Sequence, residues 1–251
     1  MAHTRISLDK ALELARTGDL WVFRGRSVPD RAIQVTTNSP VNHVGMAVVI
    51  EDLPPLMWHA ELGRSLPDMW SGTHQRGVQL HDMRDAVRVW AARYGQRAWL
   101  RQLEPPATRE MEDAVLRTIA RLDGTPFPST ARLAGRWLRG RLPSLRREAR
   151  DGAPDRAQDG APVRARDGAP VRARDGAQDG ARDGALDRAL ETAYCAEVVA
   201  VTYEAMGLLP AGRRPNWYDP GRFWSGDHLA LHGGHLLGGE IAVDVPGGEA
   251  P

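Results

Sequence analysis

Apolar residues recur along this chain in two periods, and the change from one to the other predicts its elements. In 6–15, Leu8, Leu12 and Ala15 share one helical face, with Ser7 placed to cap it and Gly18 to stop it. Asp19 to Gly25 is short, apolar and aromatic, which predicts a strand. Residues 31–38 give no clear period, and Ser39-Pro40 marks a break. His43 to Ile50 and Pro55 to Glu61 then read as two strands around the turn-forming Glu51-Asp52-Leu53-Pro54, hence an antiparallel hairpin. Gly77 to His81 and Ala86 to Ala91 read as further strands. Thr108 to Leu122 carries a stripe of Val115, Leu116, Ile119 and Leu122 behind a capping threonine, the signature of an amphipathic helix, and Ala131 to Leu142 predicts another. These elements together predict an α+β fold, a mainly antiparallel sheet packed with helices.

The pattern fails between 147 and 188, where Arg-Asp-Gly-Ala-Pro and its variants repeat with only isolated valines and leucines. Such a stretch buries too little to offset the entropy of ordering, which predicts a long disordered insertion. The expected organisation is therefore 1–146 as the first part of one domain, 147–188 as insertion, 189–226 completing the same domain, and 227–251 as a Gly/His-rich tail. Trp217, Tyr218, Phe223 and Trp224 are expected to anchor the segment that follows Gly207.

Charge adds little, because 33 basic residues against 32 acidic ones leave a formal +1. No global field favours nucleic acid or anionic lipid, so neither is expected as a partner. The single cysteine forms no internal disulfide, and the first residues lack a signal-peptide pattern, which predicts a cytoplasmic protein. No apolar run is long enough for an integral membrane segment.

Candidate chemistry centres on that cysteine. Cys195 opens the helical run Tyr194 to Val201, with the helix expected to begin near Thr192 or Ala193, and Val198, Val199, Thr202, Ala205 and Met206 as its buried stripe. A thiol in a first helical turn has free backbone N–H groups nearby, which stabilise a thiolate and later an oxyanion. The same residue also reads as a small buried hydrophobe. His43 begins a strand, where a side chain can face a cleft, and His59 and Glu61 differ from it by even numbers, so a regular hairpin puts all three on one face. His228, His232 and His235 lie among glycines without a converging carboxylate, so no metal is expected, and the absence of a phosphate-loop motif predicts no cofactor.

Four segments in order, Gly18-Asp19-Leu20, His43-Val44-Gly45-Met46, Trp58-His59-Ala60 and Tyr194-Cys195-Ala196-Glu197-Val198, resemble the NlpC-type branch of the papain-like cysteine hydrolases in its circularly permuted, YiiX-like form. Gly124-Thr125-Pro126-Phe127 is similar to a further segment of that family. The resemblance implies a permuted papain-like fold with Cys195 as nucleophile, His43 as base and His59 as the residue orienting it. Glu61 is the second choice for that last role, and Tyr194 is a candidate substrate contact. The implied function is a cysteine-dependent hydrolase or acyl-transferase acting on an amide, ester or thioester of a small-molecule, lipid or peptide substrate. The alternative is a non-catalytic papain-like interaction module. No oligomeric state follows from the sequence.

Overall fold

Ser7 ends a short strand, β1 (Arg5–Ser7), and starts helix α1 (Leu8–Leu14) by accepting the Lys10 N–H at 3.2 Å. The expected helix is thus confined to its capped part, with Ala15 just past it. The computed structural model describes residues 5–25, 40–61, 65–126 and 194–246. All of them belong to one unit built from 1–141 and 190–251. The predicted helix at 131–142 and the repeat insertion at 147–188 lie outside the described residues.

Strands β2 (Leu20–Arg24), β3 (His43–Val48), β4 (Leu56–Glu61) and β5 (Gly77–Asp82) follow the predicted order and pair antiparallel with their neighbours. The segment expected as a strand at 86–91 is instead the middle of helix α2 (Met83–Tyr94). Asp82 caps it by accepting the Asp85 N–H at 3.0 Å, and Met83, Ala86, Val87, Trp90 and Ala91 recur at helical spacing along its buried side. Reading only Ala86 to Ala91 hides that spacing, since a six-residue window sits inside two turns.

Beyond α2 come β6 (Arg97–Arg101), the two-residue β7 (Leu103–Glu104), α3 (Arg109–Leu122) with Thr108 as its cap, and α4 (Cys195–Ala205). β8 (Leu236–Leu237) pairs with β7, and β9 (Ile241–Asp244) joins the main sheet. The seven strands of that sheet run β1-β9-β6-β2-β3-β4-β5 among the described residues, antiparallel except for β1 beside β9. The segment expected as a tail therefore supplies an interior strand. Arg101 ties it down, donating to the carbonyls of Gly238 at 2.8 Å, Phe223 at 2.6 Å and Leu237 at 3.1 Å. A buried guanidinium that spends its donors this way fixes three chain segments at once.

The two sheet faces are covered by different helices. Trp21, Phe23, Ala47 and Met57 pack with Leu8, Leu12, Val87 and Trp90 of α1 and α2. On the other face α4 lies against β3 and β4, where the Trp58 indole donates to Thr202 at 3.1 Å. Residues 195–203 of α4 are all buried, so the helix is enclosed rather than amphipathic, and of the expected stripe only Ala205 is exposed. Asp19, buried in the turn before β2, accepts backbone N–H groups of Arg16 at 2.9 Å and Leu103 at 2.8 Å. Burial still pushes its carboxyl up to about 6.

Candidate functional site

The period of two in β4 and β5 decides which polar side chains meet. Met57 stands opposite His81, and His59 opposite Gln79, so His59, Glu61, Gln79 and His81 share the face covered by α2. All four are buried. A buried polar run on a sheet face costs free energy unless its members bond one another, and the imidazoles do. His43 Nε2 lies 3.2 Å from His59 Nδ1, and His59 Nε2 lies 3.1 Å from His81 Nδ1. The three rings form a file in which successive members stand edge to face, with centroids 5.3 and 4.9 Å apart.

Gly45 makes room for the file. An added Cβ there would sit 2.4 Å from Met57 Sδ and 3.4 Å from His59 Cβ, so only glycine lets these side chains cross β3. Trp90 of α2 walls the site, its ring 5.1 Å from His43 and 4.8 Å from His59. Its indole N–H donates to Glu61 Oε2 at 2.9 Å, and Ser65 donates its hydroxyl to Glu61 Oε1 at 2.9 Å. Glu61 thus holds the wall, and its carboxyl is raised by burial despite these donors. The ring partner of His43 is His59.

Burial sets the protonation of the histidines. It pushes His43 down to about 3 and His81 to about 4, and holds His59 well below its usual value, with neighbouring imidazoles adding to the effect. Asp68 opposes it only at His81, where its carboxylate favours the protonated ring. All three rings are neutral at pH 7, each with one N–H and one bare nitrogen.

Cys195 is the first residue of α4, because Tyr194 has extended backbone angles (φ −127°, ψ 168°) and acts as the cap. The helix therefore starts later than the expected Thr192 or Ala193, and the sulfur lies in the first turn. Burial pushes the thiol up to about 12, against the lowering pull of the backbone N–H groups of Val44, Ala196 and Cys195 itself. The Val44 amide is the link to the histidine file, since Val44 follows His43. No hydrogen bond joins the sulfur to the His43 ring among the described residues: the ring packs with Phe23, His59 and Trp90 on the face covered by α2, whereas Cys195 opens α4 on the opposite face, and only the backbone of β3 links them. Tyr194, a candidate substrate contact, is buried, and its hydroxyl donates to the Tyr218 carbonyl.

His81 and Gln79 did not stand out in the sequence. Their signal is two polar residues spaced by two in Gly77 to His81, on a strand whose other members are apolar. Among the described residues, His59, Glu61 and His81 are the group able to converge on a metal ion, their ligand atoms lying within 4.8 Å of one another. His228, His232 and His235 do not form such a group.

Comparison with known proteins adds little to this geometry. No family model matches the chain, and no curated protein matches it. Among solved structures, the metalloprotein YiiX from Escherichia coli O157:H7 is similar at 24% identity and a TM-score of 0.34, over 45% of this chain and 53% of that one. The chain thus spans about half of that relative, a distant likeness too low to transfer fold or chemistry. What stands is a mixed α+β protein with a mostly antiparallel sheet, a buried file of three histidines and one buried cysteine. No helix among the described residues is long and apolar enough to cross a membrane.

Proposed function

We propose that this protein is a cysteine-dependent hydrolase or acyl-transferase of permuted papain-like architecture, working through an acyl-enzyme at Cys195. The observation that carries the reading is the packing of α4, which Cys195 opens, against β3, which His43 opens. His43 Nε2 is taken by His59, so Nδ1 is the nitrogen left to receive a proton.

In the resting state both partners are neutral, a thiol and an imidazole, so proton transfer accompanies attack rather than preceding it. His43 takes the thiol proton as sulfur bonds to the carbonyl carbon of an amide, ester or thioester. The N–H groups of the first turn of α4 hold the oxyanion. The leaving group departs with the proton from His43, and water or another acceptor, deprotonated by the same ring, releases the acyl group. The substrate class remains small-molecule, lipid or peptide acyl donors.

The raised thiol and the missing sulfur-to-imidazole hydrogen bond favour a second reading, a non-catalytic interaction module on the same scaffold. A panel of acyl and peptide probes, read by intact mass, separates the two. Under the first reading, covalent acyl adducts form on Cys195, vanish in Cys195→Ser, and form about 100-fold more slowly or worse in His43→Ala. Adducts that form no faster than on a free model thiol, at rates unchanged by His43→Ala, support the module instead.

A further inference from the structure

We propose that His81 is a positioning residue that, through His59, sets which nitrogen of His43 is bare, so that the proposed base is one end of a three-ring proton file. The inference rests on the hydrolase reading for its catalytic meaning, while the file itself rests on two contacts, 3.2 Å from His43 Nε2 to His59 Nδ1 and 3.1 Å from His59 Nε2 to His81 Nδ1.

Three neutral rings joined by two N···N contacts have only two arrangements in which each contact holds one proton. In the forward arrangement His43 Nε2–H donates to His59 Nδ1, and His59 Nε2–H donates to His81 Nδ1. His43 Nδ1 is then bare and able to accept the thiol proton. In the reverse arrangement His81 Nδ1–H donates to His59 Nε2, and His59 Nδ1–H donates to His43 Nε2. His43 Nδ1 then carries a hydrogen and cannot act as a base. The single hydrogen of His59 serves only one of the two contacts, so a choice made at His81 is transmitted to His43 without any movement of the backbone.

The forward arrangement leaves the His81 hydrogen on Nε2, a buried nitrogen with no hydrogen-bond partner among the described residues, a cost that the nearby Asp68 carboxylate opposes. The N–H bonds of this arrangement run from His43 toward His81, the ring on which the Asp68 carboxylate favours positive charge and His74 opposes it. Asp68 is buried and fixed, accepting the Leu80 N–H at 2.7 Å and the Ser71 hydroxyl at 2.8 Å. When His43 gains the thiol proton, His59 and His81 are already aligned to accept from it, so the imidazolium forms without reorganising the file.

Removing His81 reverses the preference. His59 Nε2–H would then be a buried donor with no acceptor, a costly group. Moving that hydrogen to His59 Nδ1 relieves it and turns His43 to the Nδ1–H form. The substitution His81→Asn avoids this, because a carboxamide oxygen stands near the place of Nδ1 and accepts from His59.

The test uses the full chain with 15N-labelled histidine, reading ring tautomers from long-range 15N–1H couplings in wild type, His81→Phe and His81→Asn, beside acyl-probe labelling of Cys195. Expected are Nε2–H tautomers for His43 and His59 in wild type, Nδ1–H for both in His81→Phe with labelling at least tenfold slower, and recovery of tautomers and labelling in His81→Asn. Unchanged His43 and His59 tautomers in a folded His81→Phe protein would overturn the proposal. So would an Nδ1–H His43 in wild type, a result that stands even where the phenylalanine variant does not fold. Tautomers that follow the expectation in a wild type that no probe acylates sustain the file and sink the hydrolase reading alone.

Discussion

The Trp90 indole donates to Glu61 at 2.9 Å while the same ring stands edge-on to His43 and His59. One residue of α2 thus both walls the histidine file and occupies the carboxylate that parity placed on the same face. This separates the two residues that compete to orient His43. Glu61→Gln keeps an acceptor for the indole and leaves the file untouched, so Cys195 labelling should stay within about threefold of wild type. His59→Ala breaks both contacts of the file and should slow it about tenfold or more. Equal losses in the two variants would place Glu61 in the chain that orients His43.

Gly45 is required by space, since its backbone angles suit any residue. Gly45→Ala drives a Cβ to 2.4 Å from Met57 Sδ and 3.4 Å from His59 Cβ. Overpacking of this kind costs about 1–3 kcal/mol, to be read from the urea midpoint at constant slope. Because the added methyl group also stands 3.4 Å from His59 Cβ, acyl-probe labelling should fall as well. A destabilised variant with wild-type labelling would mean that the file absorbs the added methyl group.

Much of this layout was legible in the sequence, for definable reasons. The capped helices, the hairpin between His43 and Glu61 and the shared face of His43, His59 and Glu61 all follow from local periodicity, which two or more turns or strand repeats make readable. The helix at Met83 to Tyr94 was lost because the six-residue window Ala86 to Ala91 is apolar except for Arg88, a run too short to tell a buried strand from a helix. The Ile241–Asp244 strand was hidden by its glycine-rich flanks, and its place beside β6 is set by Arg101, a contact across more than a hundred residues that no local pattern carries. His81 escaped because partnership across a sheet depends on register. The neutral state of the rings is likewise a product of burial, which composition does not reveal.

Opposite pH dependences should separate the buried His81 from the half-buried Asp123. His81 is held down to about 4, so between its ordinary value near 6.5 and that point the unfolded chain binds a proton that the native one does not. Stability contributed by keeping His81 neutral is present above 6.5 and lost as pH falls, at up to about 1.4 kcal/mol per pH unit. The stability of wild type relative to His81→Asn should therefore decline from pH 6.5 to about 4. Asp123 behaves in reverse, because burial and the neighbouring Asp68 raise it to about 7. Its protonated form supports the fold below its ordinary value of 3.8, and that support is lost as pH rises through 7. Asp123→Asn should match wild type in acid and exceed it at about pH 8. Urea midpoints across this range check both signs, and parallel curves for both variants would refute the assigned burial.

Metal capture at the file and base chemistry at His43 should exclude each other. His59 Nε2 and His81 Nδ1 are 3.1 Å apart, and bonds of about 2.1 Å from both to one ion would enclose an angle of about 95°, an ordinary coordination angle. Glu61 supplies the third ligand atom of the group. An ion there takes the lone pair of His59 Nε2, which forces the ring hydrogen to Nδ1 and turns it toward His43 Nε2. His43 then holds its own hydrogen on Nδ1 and cannot accept one from Cys195. Co²⁺ titration followed by visible absorption, with acyl-probe labelling in parallel, should show labelling falling in step with occupancy and returning on chelation. Full labelling in a protein whose absorption reports a filled site would break the link between the tautomer of His59 and the reactivity of Cys195.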